Sequence, residues 1–234
     1  DNTYDNVQLI PKQVACLLLE SRQLLDNAAI NMGDDIAKSV VEAQLKREDT
    51  DYTSGDGTAT YGGHVGLVAA LPSSAYLTAV GANWGAQTAA YFYAGMGLVE
   101  NVDFSRCSFI MSRQAFIQIF MRLSDSRNNG TGGADIQGTL VKGKQHQGEA
   151  WGFPVYFSQT MPTVTAAASR FAYFGDFMGG SMLGRRKGLQ IDSSKDFKFN
   201  TNQLAYRGVA DIAVNVHGDG RASTYGPIVC FQNS

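Results

Sequence analysis

The run from Ser21 to Thr58 constrains this chain more than any other, because it reads as one long helix closed by Gly55-Asp56-Gly57-Thr58. Leu25, Ala28, Ala29, Met32, Ile36, Val40, Ala43 and Leu45 recur at steps of three or four, the period of a helix rather than a strand. Asp26 is the candidate N-cap, since its short carboxylate can accept from the unpaired amides of a first turn. Gly55 and Gly57 supply the backbone freedom that ends the element. Asp34 and Asp35 lie towards the positive start of the helix dipole, Lys46 and Arg47 towards its negative end. About 25 residues rising 1.5 Å each make a rod of ~37 Å, long enough to brace something large and flat.

The elements around the rod follow from pattern and punctuation. A strand over residues 12–19, with Pro11 at its entry, leads into the helix. Residues 84–98 read as a second helix, weakened by Gly85, Gly95 and Gly97. A short strand is expected at 105–111, and Ser112 then caps a third helix over 113–123. Residues 125–148 form the most polar run, a long loop that includes Asn128 and Asn129, and loops of that length are usually functional. Residues 150–157 read as a strand. Beyond Phe171 the chain is β-like: 170–174, a basic turn at Arg185-Arg186-Lys187, 189–192, 197–199, an alternating strand over 204–217 and a last strand at 227–231. Strand, helix, helix, strand, helix and then mostly strands is an α+β order, not a regular βαβ alternation.

Sites for chemistry are hard to assemble from these residues. The 234 residues carry a formal net charge of −2, which does not suit a surface built to coat nucleic acid. Cys16, Cys107 and Cys230 are singletons in apolar runs and read as small buried hydrophobes. His64, His146 and His217 have no acidic or cysteine neighbour at ligand spacing and are expected on the surface or in turns. Gly55-Asp56-Gly57-Thr58 looks like a phosphate loop only superficially, because its glycines follow a helix and no lysine accompanies them. Glu48, Asp49 and Asp51 read as a solvated helix terminus, EF-hand spacing being absent. Three adjacent cations at 185–187 with no interleaved aromatic suit a solvated turn or an ion-pair site between subunits. No cofactor, metal or membrane span is expected.

One family accounts for both the long helix and the missing site. Ser21-Arg22-Gln23-Leu24-Leu25-Asp26, the helix and its glycine stop resemble the spine helix of tailed-bacteriophage major capsid proteins, the Hong Kong 97-type shell fold. Phe109-Ile110-Met111-Ser112-Arg113-Gln114, the third helix, the polar loop and Trp151-Gly152-Phe153-Pro154-Val155 resemble that family's central passage. Tyr173-Phe174-Gly175-Asp176-Phe177, the 185–191 turn and residues 204–231 resemble its closing β region. The resemblance implies a mixed α+β subunit with a peripheral mixed sheet and an axial α/β subdomain. Residues 1–72 and 170–218 would make the peripheral domain, 73–169 the axial one, and 219–234 a final strand returning to the axial part. Only what looks like the returning strand of the family's E-loop hairpin is present, near residues 8–19, so the N-terminal arm and most of that hairpin are read as lacking.

The same resemblance implies a non-enzymatic structural protein that assembles with itself into pentamers and hexamers of an icosahedral head. Double-stranded DNA would be enclosed through weak, non-specific contacts, with portal and scaffold or protease proteins as further partners. The location implied is the virion, after assembly in the bacterial cytoplasm. Arg185, Arg186, Lys187, Asn128 and Asn129 are the candidate contacts between subunits. An encapsulin-like compartment shell shares the fold and is the near alternative. A ligand-binding protein or enzyme on a glycine-rich β platform is the distant one, with Trp84 and Trp151 available to line a cleft.

Overall fold

The computed structural model describes residues 8–27, 32–79, 81–100, 102–124, 139–140, 148–216 and 226–234. In chain order the elements are β1 (Lys12–Ser21), α1 (Arg22–Asn27), α2 (Met32–Ser54), α3 (Leu67–Ala70), β2 (Tyr76–Thr78), α4 (Ala89–Gly97) and β3 (Ser108–Met111). Then come α5 (Arg113–Phe116), a π-helical turn (Ile117–Met121), α6 (Arg122–Ser124), β4 (Thr139–Leu140), β5 (Gly148–Ala150) and β6 (Phe153–Phe157). The chain closes with β7 (Arg170–Gly175), α7 (Phe177–Gly180), β8 (Ser181–Lys198), β9 (Gln203–Val216) and β10 (Ile228–Gln232). These fall into two compact units, Asp1–Gly66 with Met182–Asn215, and Leu67–Ser181 with Val216–Ser234.

The first unit is a three-stranded sheet, β1-β9-β8, with α2 packed on it. β1 pairs antiparallel with β9, setting Cys16 opposite Gly208 and Val14 opposite Ala210. A Cβ at position 208 would meet Val40 Cγ1 at 2.5 Å and Cys16 Sγ at 2.8 Å, so glycine lets the helix seat on the sheet. α2 buries Ile36, Val40, Gln44, Glu48 and Asp51, stepping by four and finally by three. Ala43 and Leu45, expected on that row, are exposed. Each lies about 100° round the helix from Gln44.

Three further expectations change in this unit. Asp26 lies inside α1, with helical backbone, so it does not stand at an N-cap position, which is non-helical. Asp34 and Asp35 occupy the first turn of α2, but Lys46 and Arg47 stand about two turns short of its end and the last turn carries no base. Residues 181–198 form one 18-residue strand, so Arg185, Arg186 and Lys187 belong to a strand and not to a turn. β9 supplies the ladder for that strand, and charged side chains are tolerated because β8 is an edge.

The second unit is a seven-stranded mixed sheet in the order β2-β10-β7-β3-β6-β5-β4. The β10–β2 and β3–β6 pairs are parallel. The sequence groups β7 with the peripheral strands, yet it pairs with β3 and β10. Phe171, Ala172, Tyr173 and Phe174 are all buried, so both faces of β7 are covered, as a central strand requires. The core is aromatic: Phe109 and Phe174 lie 4.5 Å apart by ring centroid, Phe92 and Phe120 4.8 Å, both tilted. Such tilted pairs add to simple burial.

Local chemistry sets the connections of this unit. Ser112 Oγ accepts from Ala115 N at 3.2 Å and donates to Pro162 O at 2.6 Å, capping α5 and tethering a distant loop. The helix then runs on through the π turn to Ser124. Residues 150–157, expected as one strand, are the tight β5–β6 hairpin, turning on Trp151 (φ 51°) and Gly152 (φ 80°). Two successive left-handed residues match the twist of a hairpin. The second helix starts only at Ala89, residues Trp84–Ala86 being a 3-10 turn.

Candidate functional site

The most concentrated ionisable cluster among the described residues lies where α2 ends. Asp51 is wholly buried, and Arg47, one turn earlier, reaches its Oδ1 with Nε at 3.0 Å. Arg47 also donates through Nη2 to Thr60 O at 2.9 Å. His64 is buried as well, its Nε2 3.7 Å from Asp51 Oδ2 and without a hydrogen-bond partner among the described residues. Burial, only partly offset by Asp51, pushes His64 below the ordinary histidine range. Burial likewise raises the Asp51 carboxyl, against the pull of Arg47 and His64. On the preceding turns of the same row Gln44 Nε2 donates to Glu48 Oε1 at 3.2 Å, and Glu48 Oε2 pairs with Arg185 Nη2 at 2.5 Å.

Glycine builds the frame around this cluster. Gly66 N donates to Gly55 O at 2.9 Å and Gly57 N to His64 O at 2.8 Å, with Asp56 and Val65 bridged between them. A Cβ on Gly55 would meet His64 O at 2.8 Å and Gly66 N at 2.9 Å, so this residue is required for close approach and not for backbone freedom. Gly57, at φ +81°, is the one that uses a left-handed conformation. Gly55 and Gly57 thus close α2 for two different reasons.

Sequence reading missed this cluster. It places Glu48 and Asp51 in solvent and His64 on the surface, whereas all three are buried. The available signal was the step of four from Ile36 and Val40, which continues through Gln44 and Glu48 and on to Asp51. A buried row that turns polar halfway needs partners, and Arg47, His64 and Arg185 provide them. Arg47, Asp51 and His64 tie the end of α2 to the 55–66 segment. Neither Asp51 nor His64 lines a described cavity, and no group of three His, Cys, Asp or Glu among the described residues could hold a metal ion. Cys107 and Cys230 are buried thiols, raised by burial to about 11 and about 12.

The remaining candidates scatter. Arg185 is committed to Glu48, while Arg186 and Lys187 are exposed and carry no ion pair among the described residues. Asn128, Asn129, His146 and His217 lie outside the described residues. What the first unit does present is open apolar surface. One shallow groove of about 580 Å³ includes Ala15, Leu17, Phe197 and Ala205, beside an Asp192–Arg207 ion pair at 3.1 Å. A second, of about 200 Å³, lies between α2 and β8. Among the described residues no helix is long and apolar enough to cross a membrane.

A sequence model of the phage capsid family matches residues 1–219. No curated protein matches the sequence. Among solved structures, the capsid of an empty GTA particle is similar at 15% identity and a TM-score of 0.73, over 98% of this chain and 74% of that one. Microbacterium phage Oxtober96 is similar at 13% identity and 0.65, over 97% and 73%. The encapsulin of the holo-SrpI complex from Synechococcus elongatus PCC 7942 is similar at 12% identity and 0.65, over 95% and 74%.

Proposed function

This chain belongs to the phage capsid family, and on that premise we propose that it builds an icosahedral head from pentamers and hexamers enclosing double-stranded DNA. It is a shell-forming major capsid protein with the Hong Kong 97-type fold, its copies self-assemble into capsid oligomers, and its place is the virion capsid. The observation that carries the finer reading is the family match over residues 1–219, joined to a fold shared along nearly the whole chain with capsid subunits.

In this reading the three-stranded unit is the peripheral subdomain and the seven-stranded unit the axial one. The subunit has no enzymatic role, assembles in the cytoplasm of a bacterial host, and meets portal and scaffold or protease proteins there. DNA is met through weak, non-specific contact. Arg186 and Lys187, with Asn128 and Asn129, contribute contacts between subunits. Many modest contacts repeated by symmetry suffice for such a shell, and a formal charge of −2 avoids strong repulsion between copies.

Electron microscopy of particles recovered from cells expressing the gene tests this. Closed shells whose content absorbs as nucleic acid are expected. Shells filled with a protein cargo and free of nucleic acid would favour the compartment reading, which the fold shared with the SrpI encapsulin keeps in view.

A further inference from the structure

Two of the exposed apolar places of the first unit complement each other. One is the groove of about 200 Å³ between α2 and β8, bordered by Val41, Leu45, Leu189 and Lys187. Val41 is 42% and Leu45 53% exposed, one turn apart on α2 and about 100° round the helix from its buried row. A Cβ at Gly188 would meet nothing within 4 Å, so the groove is open at that wall. Lys187 has no ion pair among the described residues, whereas Arg185 beside it is neutralised by Glu48.

The other place is the tip of the β8–β9 hairpin. Phe197 is 60% and Phe199 83% exposed there. Asn202, at φ +52°, turns the chain, and Arg22 N donates to Asn202 O at 3.1 Å, so the tip is pinned to the end of β1. Asp196 is exposed and carries no ion pair among the described residues. Of the flanking cations, Lys198 Nζ sits 5.9 Å from the Phe197 ring centroid, and Lys195 alternates to the other strand face from Asp196.

We propose that the hairpin tip of one copy docks in the α2–β8 groove of a neighbouring copy, Phe199 entering the slot beside Val41 and Leu45 and Asp196 facing Lys187. The proposal rests on the shell reading above, which supplies identical neighbours. A copy cannot make the contact with itself. Lys187 and Lys198 lie in one extended strand, and eleven residues at about 3.3 Å hold tip and groove roughly 36 Å apart. Because the two surfaces differ, the contact is heterologous, and such contacts propagate around rings or along a lattice instead of stopping at a two-fold dimer. The pairing matches an aromatic knob to an apolar slot of side-chain size, and an unpaired acid to an unpaired base. The tip is pinned by the Arg22–Asn202 bond and the groove is walled by α2 and β8, so little order need be gained on docking.

Cross-linking decides it. Copies carrying Asp196→Cys are mixed with copies carrying Lys187→Cys and oxidised under assembly conditions, with light scattering run in parallel and circular dichroism confirming the fold. The mixture should give a covalent dimer that neither variant gives alone. Asp196→Lys should weaken association about tenfold or more, and adding Lys187→Asp should restore it. Assembly that proceeds without the 187–196 cross-link, or an Asp196→Lys defect that Lys187→Asp fails to restore, overturns this contact and leaves the shell reading standing. A chain that stays monomeric at every salt and concentration overturns both.

Discussion

Replacing Gly66 with alanine should cost far more than one methyl group suggests. The new Cβ would lie well inside van der Waals contact of the Asp51 and Tyr52 carbonyl oxygens, and 2.8 Å from Tyr52 C. All three obstacles are backbone atoms in the last turns of α2, so no side-chain rotation relieves the clash. Overpacking of this kind costs about 1–3 kcal/mol. Displacing the 55–66 segment also breaks Gly66 N to Gly55 O at 2.9 Å, a bond with a net value of about 0.5–1.5 kcal/mol. The sum is about 3 kcal/mol, which is roughly a 150-fold change in an equilibrium constant. Hydrogen exchange along α2 reads it directly: amides of residues 36–54 should exchange on the order of a hundredfold faster. Trp84 and Trp151 both lie in the other unit, so their fluorescence on unfolding is a control that should barely move. Gly188→Ala, where a Cβ meets nothing within 4 Å, is the matched control within the same unit. Protection within about threefold of the parent protein in Gly66→Ala would refute the reasoning, since it would mean that the helix end yields freely.

Two further predictions concern single side chains. His64 is held by burial below its ordinary value of 6.5, so between that value and its lower folded one the unfolded chain binds more protons, and stability falls as pH drops through this window. Asp51 is raised above 3.8; the stability tied to its protonated form is present below that value and is lost as pH rises through its folded one. The urea midpoint for the first unit should therefore carry a His64-dependent fall as pH drops below 6.5, opposed by Asp51, and His64→Gln should flatten that fall; an unchanged slope would rule out this role for His64. Ser112→Ala should destabilise the second unit by about 1–2 kcal/mol through loss of its cap and of its bond to Pro162 O, seen as an earlier tryptophan transition. A shift below about 0.3 kcal/mol would show that water replaces both bonds.

What was legible in the sequence was whatever local pattern dictates. The helix through Ile36 and Val40 announced itself by period, and Ser112 by its position before an apolar run. What stayed hidden depended on distant partners. Glu48 and Asp51 look solvated until Arg185 and the loop carrying His64 fold over them. β8 looks like a turn with fragments because its long ladder is supplied by β9, a neighbour that no local period reveals. The strand at Arg170–Gly175 was readable as a strand, but its sheet was not, since hydrophobicity on both faces shows that a strand is central without naming its neighbours. Gly55 was assigned a conformational role where the structure gives it a steric one, and a sequence alone does not separate the two.

This fold serves a shell. Cryo-electron microscopy of particles assembled from the gene product that contains this chain tests it most directly. Closed shells whose asymmetric unit repeats this subunit around five-fold and six-fold positions are expected. Only monomers or irregular aggregates, across salt and concentration, would contradict it.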